Sequence, residues 1–259
     1  MSRRPALMLG LALTLACPAT GGAGDADCWF ENGAVVVSAE IGGVAGDWLL
    51  DPSTPRTELH ETRAQMEGLP ATFSAPGHLA GAILAPVAVT VADLDGRAPG
   101  FPTPIAGVIG ADVLGRYVVD IAFAPCRVRL SPGAGPRRPR GRVLTLTTVA
   151  GVPTVQAAVS DDRRARRGAF AVDFSSRAAV RLTAAGFTPA GSKAEKASRG
   201  VAPARLRALS FDGSLYEETT AALAPELDQA LAGALGTDLW SRWRVRLDIA
   251  RGRLVLSPQ

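Results

Sequence analysis

The chain has 259 residues and a mass of 26.8 kDa, enough for one large domain or two of about 120 residues. Hydrophobic residues make up 47% and charged residues 20%, so the chain can bury a core; wholesale disorder and coiled coil are excluded. The net charge of +4 is too weak to imply a nucleic-acid partner. Two histidines and three cysteines, with no CxxC or HExxH spacing, point to no metal and no cofactor.

Residues 1–24 have the pattern of a secretory signal peptide. Arg3 and Arg4 supply a positive start, Ala6 to Ala16 an apolar run too short to span a membrane, and Ala19 to Gly24 small residues near a cleavage point. A second reading places a lipid on Cys17, after Leu15 and Ala16, which would give a membrane anchor to an otherwise exported, periplasmic or secreted protein. In an oxidising compartment the two remaining cysteines, Cys28 and Cys126, are expected to pair; two buried free thiols are the alternative.

Strand-like runs follow at Ala34–Ile41, Asp47–Asp51, Ala85–Val91 and Tyr117–Phe123. Short helices are expected over Thr57–Glu67 and Asp112–Arg116. The segment 133–142 is rich in proline, glycine and arginine and reads as a linker. Beyond it, strands are expected at Arg142–Thr147, Pro153–Val159, Ala169–Asp173 and Trp243–Ile249, and helices at Pro225–Leu235 and Asp238–Arg242. Asp161 to Arg167 and Ser192 to Arg199 read as exposed loops.

The halves are copies. Ala106-Gly-Val-Ile-Gly-Ala-Asp-Val-Leu114 recurs as Ala232-Gly-Ala-Leu-Gly-Thr-Asp-Leu-Trp240, and from there to Pro132 and Pro258, 11 of 27 aligned positions are identical. This divides the chain into units at 25–132 and 143–259, with Gly110 equivalent to Gly236. Each unit also has an acid closing an apolar run: Leu49-Leu50-Asp51-Pro52-Ser53-Thr54 and Ala171-Val172-Asp173-Phe174-Ser175-Ser176. A pseudo-twofold axis would bring Asp51 and Asp173 together. Two close carboxylates cannot both ionise freely, so such a pair would hold one proton, one acid beside one base.

With those residues the chain resembles the two-lobed retropepsin/pepsin-like aspartic peptidases. Their lobes each carry apolar-apolar-Asp-Thr/Ser-Gly, then an apolar-apolar-Gly element leading into a short helix. The resemblance implies a mostly β chain of two pseudo-symmetric β-barrel lobes, Asp51 and Asp173 as the catalytic pair, and an extended polypeptide in the cleft between lobes of a monomer. It also implies a hairpin over the cleft, for which Phe73 and His78 in Phe73–Gly81 are the candidates; an ordinary surface hairpin is the other reading. The loops depart from the family. Pro52 and Phe174 stand where a hydroxyl joins the two loops, and Ser53 and Ser175 where glycine lets backbone approach the carboxylate. The expectation is an exported, catalytically impaired relative that binds extended peptide; the alternative is an active endopeptidase.

Overall fold

The computed structural model describes residues 23–97, 100–133, 140–161, 164–183, 204–224 and 227–259. Cys17, nearly all of the expected leader, most of the linker and Ser192–Arg199 lie outside them.

The first half forms β1 (Gly24–Asp27), β2 (Trp29–Glu31), β3 (Ala34–Ile41), β4 (Val44–Leu50), β5 (Thr57–His60), α1 (Glu61–Met66), β6 (Thr72–Leu79), β7 (Ala82–Ala92), β8 (Ile105–Ile109), α2 (Ala111–Leu114), β9 (Tyr117–Phe123) and β10 (Cys126–Pro132). The second forms β11 (Arg142–Thr145), β12 (Thr147–Val149), β13 (Val152–Ser160), β14 (Ala165–Val172), β15 (Val180–Leu182), β16 (Ala204–Phe211), β17 (Ser214–Leu223), β18 (Gly233–Leu235), α3 (Thr237–Trp240), β19 (Arg244–Asp248) and β20 (Arg253–Ser257). The alternation of buried and exposed positions along β3, β7 and β13 shows why these β-branched runs form half-buried strands.

One sheet runs β2-β3-β4-β8-β5-β7-β6, closed into a barrel by β3–β6 pairing. Its counterpart runs β12-β13-β14-β18-β15-β17-β16, closed by β13–β16. The order is the same strand for strand. The end strands of each half stand apart from these two barrels. They meet in a third sheet, β1-β10-β9-β19-β20-β11. At its centre Val119 pairs with Leu247, Asp120 with Arg246, and Ile121 with Val245. Residues 126 apart thus lie in antiparallel register, which places the pseudo-twofold axis between Asp120 and Arg246. Arg246 donates two hydrogen bonds to Asp120 there, at 2.6 and 3.0 Å.

Three expected elements differ. Thr57–Glu67 begins as strand β5 and becomes helix only at Glu61, where the His60 ring accepts the N–H of Thr62. Pro225–Leu235 is no helix among its described residues. Asp228 accepts the N–H groups of Ala230 and Leu231 in a turn, and Gly233–Leu235 is drawn into the sheet beside β14. Its Leu227, Leu231 and Ala234 are buried, but from turn and strand; a helix-like apolar spacing served a different geometry. Finally, β14 begins at Ala165, so Arg166 and Arg167 lie in a strand rather than a loop, and the Arg166 guanidinium reaches Thr183 and the Leu231 carbonyl.

Cys28 and Cys126 are joined by a disulfide, Cα to Cα 5.0 Å.

Candidate active site

Trp48, Leu49 and Leu50 are wholly buried at the end of β4, and Asp51 follows them into the interior. Its backbone N–H donates to Ile109, and Ala111 donates to Thr54. The second half repeats this. Asp173 donates its N–H to Leu235, and Thr237 donates to Ser176. The glycines of the repeat are explained by this contact. A Cβ on Gly110 would lie 2.6 Å from the Arg56 carbonyl oxygen, and one on Gly236 would lie 2.1 Å from that of Ala178. The apolar-Gly element is the backbone shelf against which each aspartate loop is laid.

Both carboxyl groups are fully buried, and one serine hydroxyl lies within reach of both. Ser175 Oγ lies 2.9 Å from Asp51 Oδ2 and 3.1 Å from Asp173 Oδ1, so these oxygens are roughly 6 Å apart at most, the sum of the two distances. A serine hydroxyl has one proton, so it donates to one carboxylate at a time. Asp51 also accepts the Ser53 N–H at 2.8 Å, the Ser53 hydroxyl at 2.9 Å and the Thr54 hydroxyl at 3.0 Å. Asp173 accepts the Ser175 N–H at 2.7 Å. The residues in the family's glycine place therefore tie down the carboxylates themselves. Pro52 and Phe174 are buried and supply no side-chain polar atom; Phe174 packs edge-on to Phe123 at 6.2 Å, and its carbonyl accepts the Val35 N–H from the other lobe at 2.8 Å.

Two arginines complete the site, and neither stands out in the sequence. Arg97, in the β7–β8 connection, pairs with Asp51 Oδ2. It also donates to the Thr54 hydroxyl at 2.7 Å and to Ser175 Oγ at 3.1 Å, so it spans both lobes. Arg181, on β15, pairs with Asp173 Oδ2 at 2.6 Å. Arg181 pairs with Ala234 and Glu58 with Val108, equivalent positions on β18 and β8. Glu58 is therefore the twofold mate of Arg181, and it faces Arg97 at 3.7 Å. One signal was available: Val180-Arg181-Leu182 puts a charge in the short strand just after an aspartate loop, on a stretch otherwise buried.

These charges bear on the protonation of Asp51. At an effective dielectric near 20, like charges no more than about 6 Å apart repel by about 3 kcal/mol or more, whereas opposite charges in contact attract by about 5 kcal/mol. For Asp51, burial pushes the carboxyl up and is the largest single influence. Arg97, the Ser53 hydroxyl and N–H, and Arg181 together outweigh it and hold the carboxyl below its ordinary range. The expectation of a carboxyl held well above that range is thus not met at Asp51. The group pushed up is Glu58, by burial first, against Arg97, with Asp51 adding to the rise.

The flap candidates lie elsewhere. Phe73 packs beside Gly42, in the β3–β4 turn, which is at the other end of β4 from Asp51. His78 is exposed on β6, between Glu40 and Ile83. The β6–β7 turn at Ala80 and Gly81 packs towards Gly24 of β1. The long side chains lying against the aspartates are Arg97 and Arg181.

No protein-family model and no curated protein matches the chain. Among solved structures it is similar to the aspartic proteinase of Irpex lacteus, with a TM-score of 0.58 over 92% of this chain and 98% of that one, at 13% identity. The chain has the two-lobed fold of the pepsin-like aspartic proteinases.

Proposed function

We propose that this is an exported, non-hydrolytic protein on the aspartic-proteinase fold, whose Asp51 and Asp173 hold the lobes together rather than activate water. One observation carries the reading: each aspartate is paired with its own arginine, and the Ser175 hydroxyl lies between them. Peptide hydrolysis by an aspartate pair needs one carboxylic acid, one carboxylate and a water shared between them. Arg97 and the Ser53 donors favour the ionised form of Asp51, Arg181 is paired with Asp173, and Ser175 Oγ takes the hydrogen-bonding position such a water would need. Export rests on the leader-like residues 1–24 and the Cys28–Cys126 disulfide. Lipidation at Cys17 stays a variant of the same proposal. The partner proposed for the cleft is an extended polypeptide bound by strand addition; the partly exposed Arg97 supports contact with a peptide carbonyl.

The test is incubation of the purified protein with a peptide library at pH 3–7, beside an Asp51→Asn variant. The expected result is no cleavage above that of the variant, with library peptides retained intact on immobilised protein. Cleavage that disappears in Asp51→Asn would overturn the proposal and restore the endopeptidase reading.

A further inference from the structure

We propose that the outer face of the six-stranded sheet carries a binding site for a small phosphate-bearing dianion, seated over Ala122. A cavity of about 560 Å³ opens there and shares no residue with the aspartate site. Such a volume is in the range of small-ligand pockets. Five arginines line it against two aspartates, Asp25 and Asp120. Asp25 is taken by Arg127 and Arg129, Asp120 by Arg246, and Arg127 pairs in addition with Asp27 at 3.0 Å, so the arginines in surplus are Arg140 and Arg244. The guanidinium groups of Arg140 and Arg244 have no ion pair or hydrogen bond among the described residues.

The twofold relation says what is missing. Residue 122 is equivalent to Asp248, and Arg127 to Arg253. In the second half Asp248 is buried and accepts from Arg251 at 3.2 Å and Arg253 at 3.1 Å. In the first half the same place on the sheet holds Ala122, paired with Arg127 on β10 and flanked on β19 by Arg244, the residue before Val245. The small side chain leaves a hollow where the other copy has a carboxylate. Planar guanidinium groups around such a hollow match tetrahedral oxyanions bidentately. Two uncompensated guanidiniums beside Arg127 favour a dianion over a single carboxylate.

Inorganic pyrophosphate is the probe, titrated calorimetrically into the purified protein, with the melting temperature followed in parallel. Saturable binding and a rise in Tm are expected. Arg140→Ala/Arg244→Ala should weaken binding by about tenfold or more. Ala122→Asp should abolish it while raising the Tm of the ligand-free protein, because it supplies the carboxylate that Asp248 supplies in the other half. Arg205→Ala, an exposed arginine outside the cavity, should change nothing. Sedimentation with vesicles containing phosphatidic acid distinguishes the source: vesicle binding displaced by pyrophosphate assigns a lipid headgroup, and pyrophosphate binding alone assigns a soluble phosphate. Absence of saturable binding to the unaltered protein overturns the proposal. So does binding that survives Ala122→Asp, or a loss as large in Arg205→Ala as in the double variant.

Discussion

Asp51 shows how one neighbour reverses an argument. From the duplication alone, replacing one aspartate by asparagine removes like-charge repulsion and is neutral or stabilising. With Arg97 bonded to that carboxylate, the same change leaves a largely buried guanidinium without its counter-charge. Breaking a buried ion pair from one side costs about 3–5 kcal/mol; Arg97 is one-quarter exposed, so the lower end applies. Asp51→Asn is therefore expected to destabilise by about 3 kcal/mol in urea denaturation, and Asp51→Asn/Arg97→Met should regain most of it, since apolar replacement of both partners is often neutral. The pH dependence has a definite sign. The folded-state pKa of Asp51 lies below its unfolded value of about 3.9. Its contribution is complete above that pH and is lost as pH falls through the lower folded value. The gap between wild type and Asp51→Asn should be constant from pH 5 to 7 and close below about pH 4. A stabilised Asp51→Asn protein at pH 7 would restore the shared-proton pair. The two aspartates were legible because both copies carry them. Arg97 and Arg181 were not, because neither is repeated: the twofold mate of Arg181 is Glu58.

The elements that build the site were legible where both halves impose the same constraint. The recurrent glycine is one such constraint, and it can be tested. An alanine Cβ at Gly236 would meet backbone oxygens of Ala178 at 2.1 Å and Ser176 at 2.6 Å, neither of which can rotate away. Gly236→Ala should therefore cost about 3 kcal/mol or more and loosen the Asp173 loop. Gly96→Ala, with nothing within 4 Å of its Cβ, should stay within about 0.5 kcal/mol of wild type. Equal melting temperatures for the two variants would mean that the shelf under the aspartate loop is not rigid. Elsewhere periodicity misled. Leu227 and Leu231 are four residues apart and both buried, as on a helix face, yet they hang from a turn that delivers β18 to the sheet. The sheet had the stronger claim: β18 carries Leu235, whose carbonyl receives Asp173. The closing strands were legible as strands, but their pairing across the molecule was not, because the register that joins β9 to β19 lies between two copies of one pattern rather than within either.

At the scale of the whole molecule, the third sheet binds the halves, and its outer strands are held in related ways. Leu146 donates its N–H to Gly252 at 2.8 Å where β11 leaves the sheet; Cys28 donates to Cys126 at 3.2 Å where β1 leaves it. Only the second contact is reinforced covalently. In the twofold mate, Gly252 has a φ of +60° and a Cβ would sit 2.9 Å from the Leu146 oxygen, so no cysteine fits there. Among the described residues β1 pairs with β10 alone, across four residue pairs, and its paired Arg–Asp side chains are largely exposed and worth little. The disulfide closes a sequence separation of 98 residues, which in the loop-entropy account contributes about 4–5 kcal/mol. Cys28→Ala/Cys126→Ala should lose about that much in chemical denaturation and melt roughly 10–20 °C lower, taking about 2–4 °C per kcal/mol for a chain of this size. The loss should begin locally. Amide exchange in β1 should accelerate before that in β9 and β19, which lie at the centre of the sheet. Uniform acceleration across all six strands would show instead that the disulfide acts on the unfolded chain alone and does not pin β1 in the folded one.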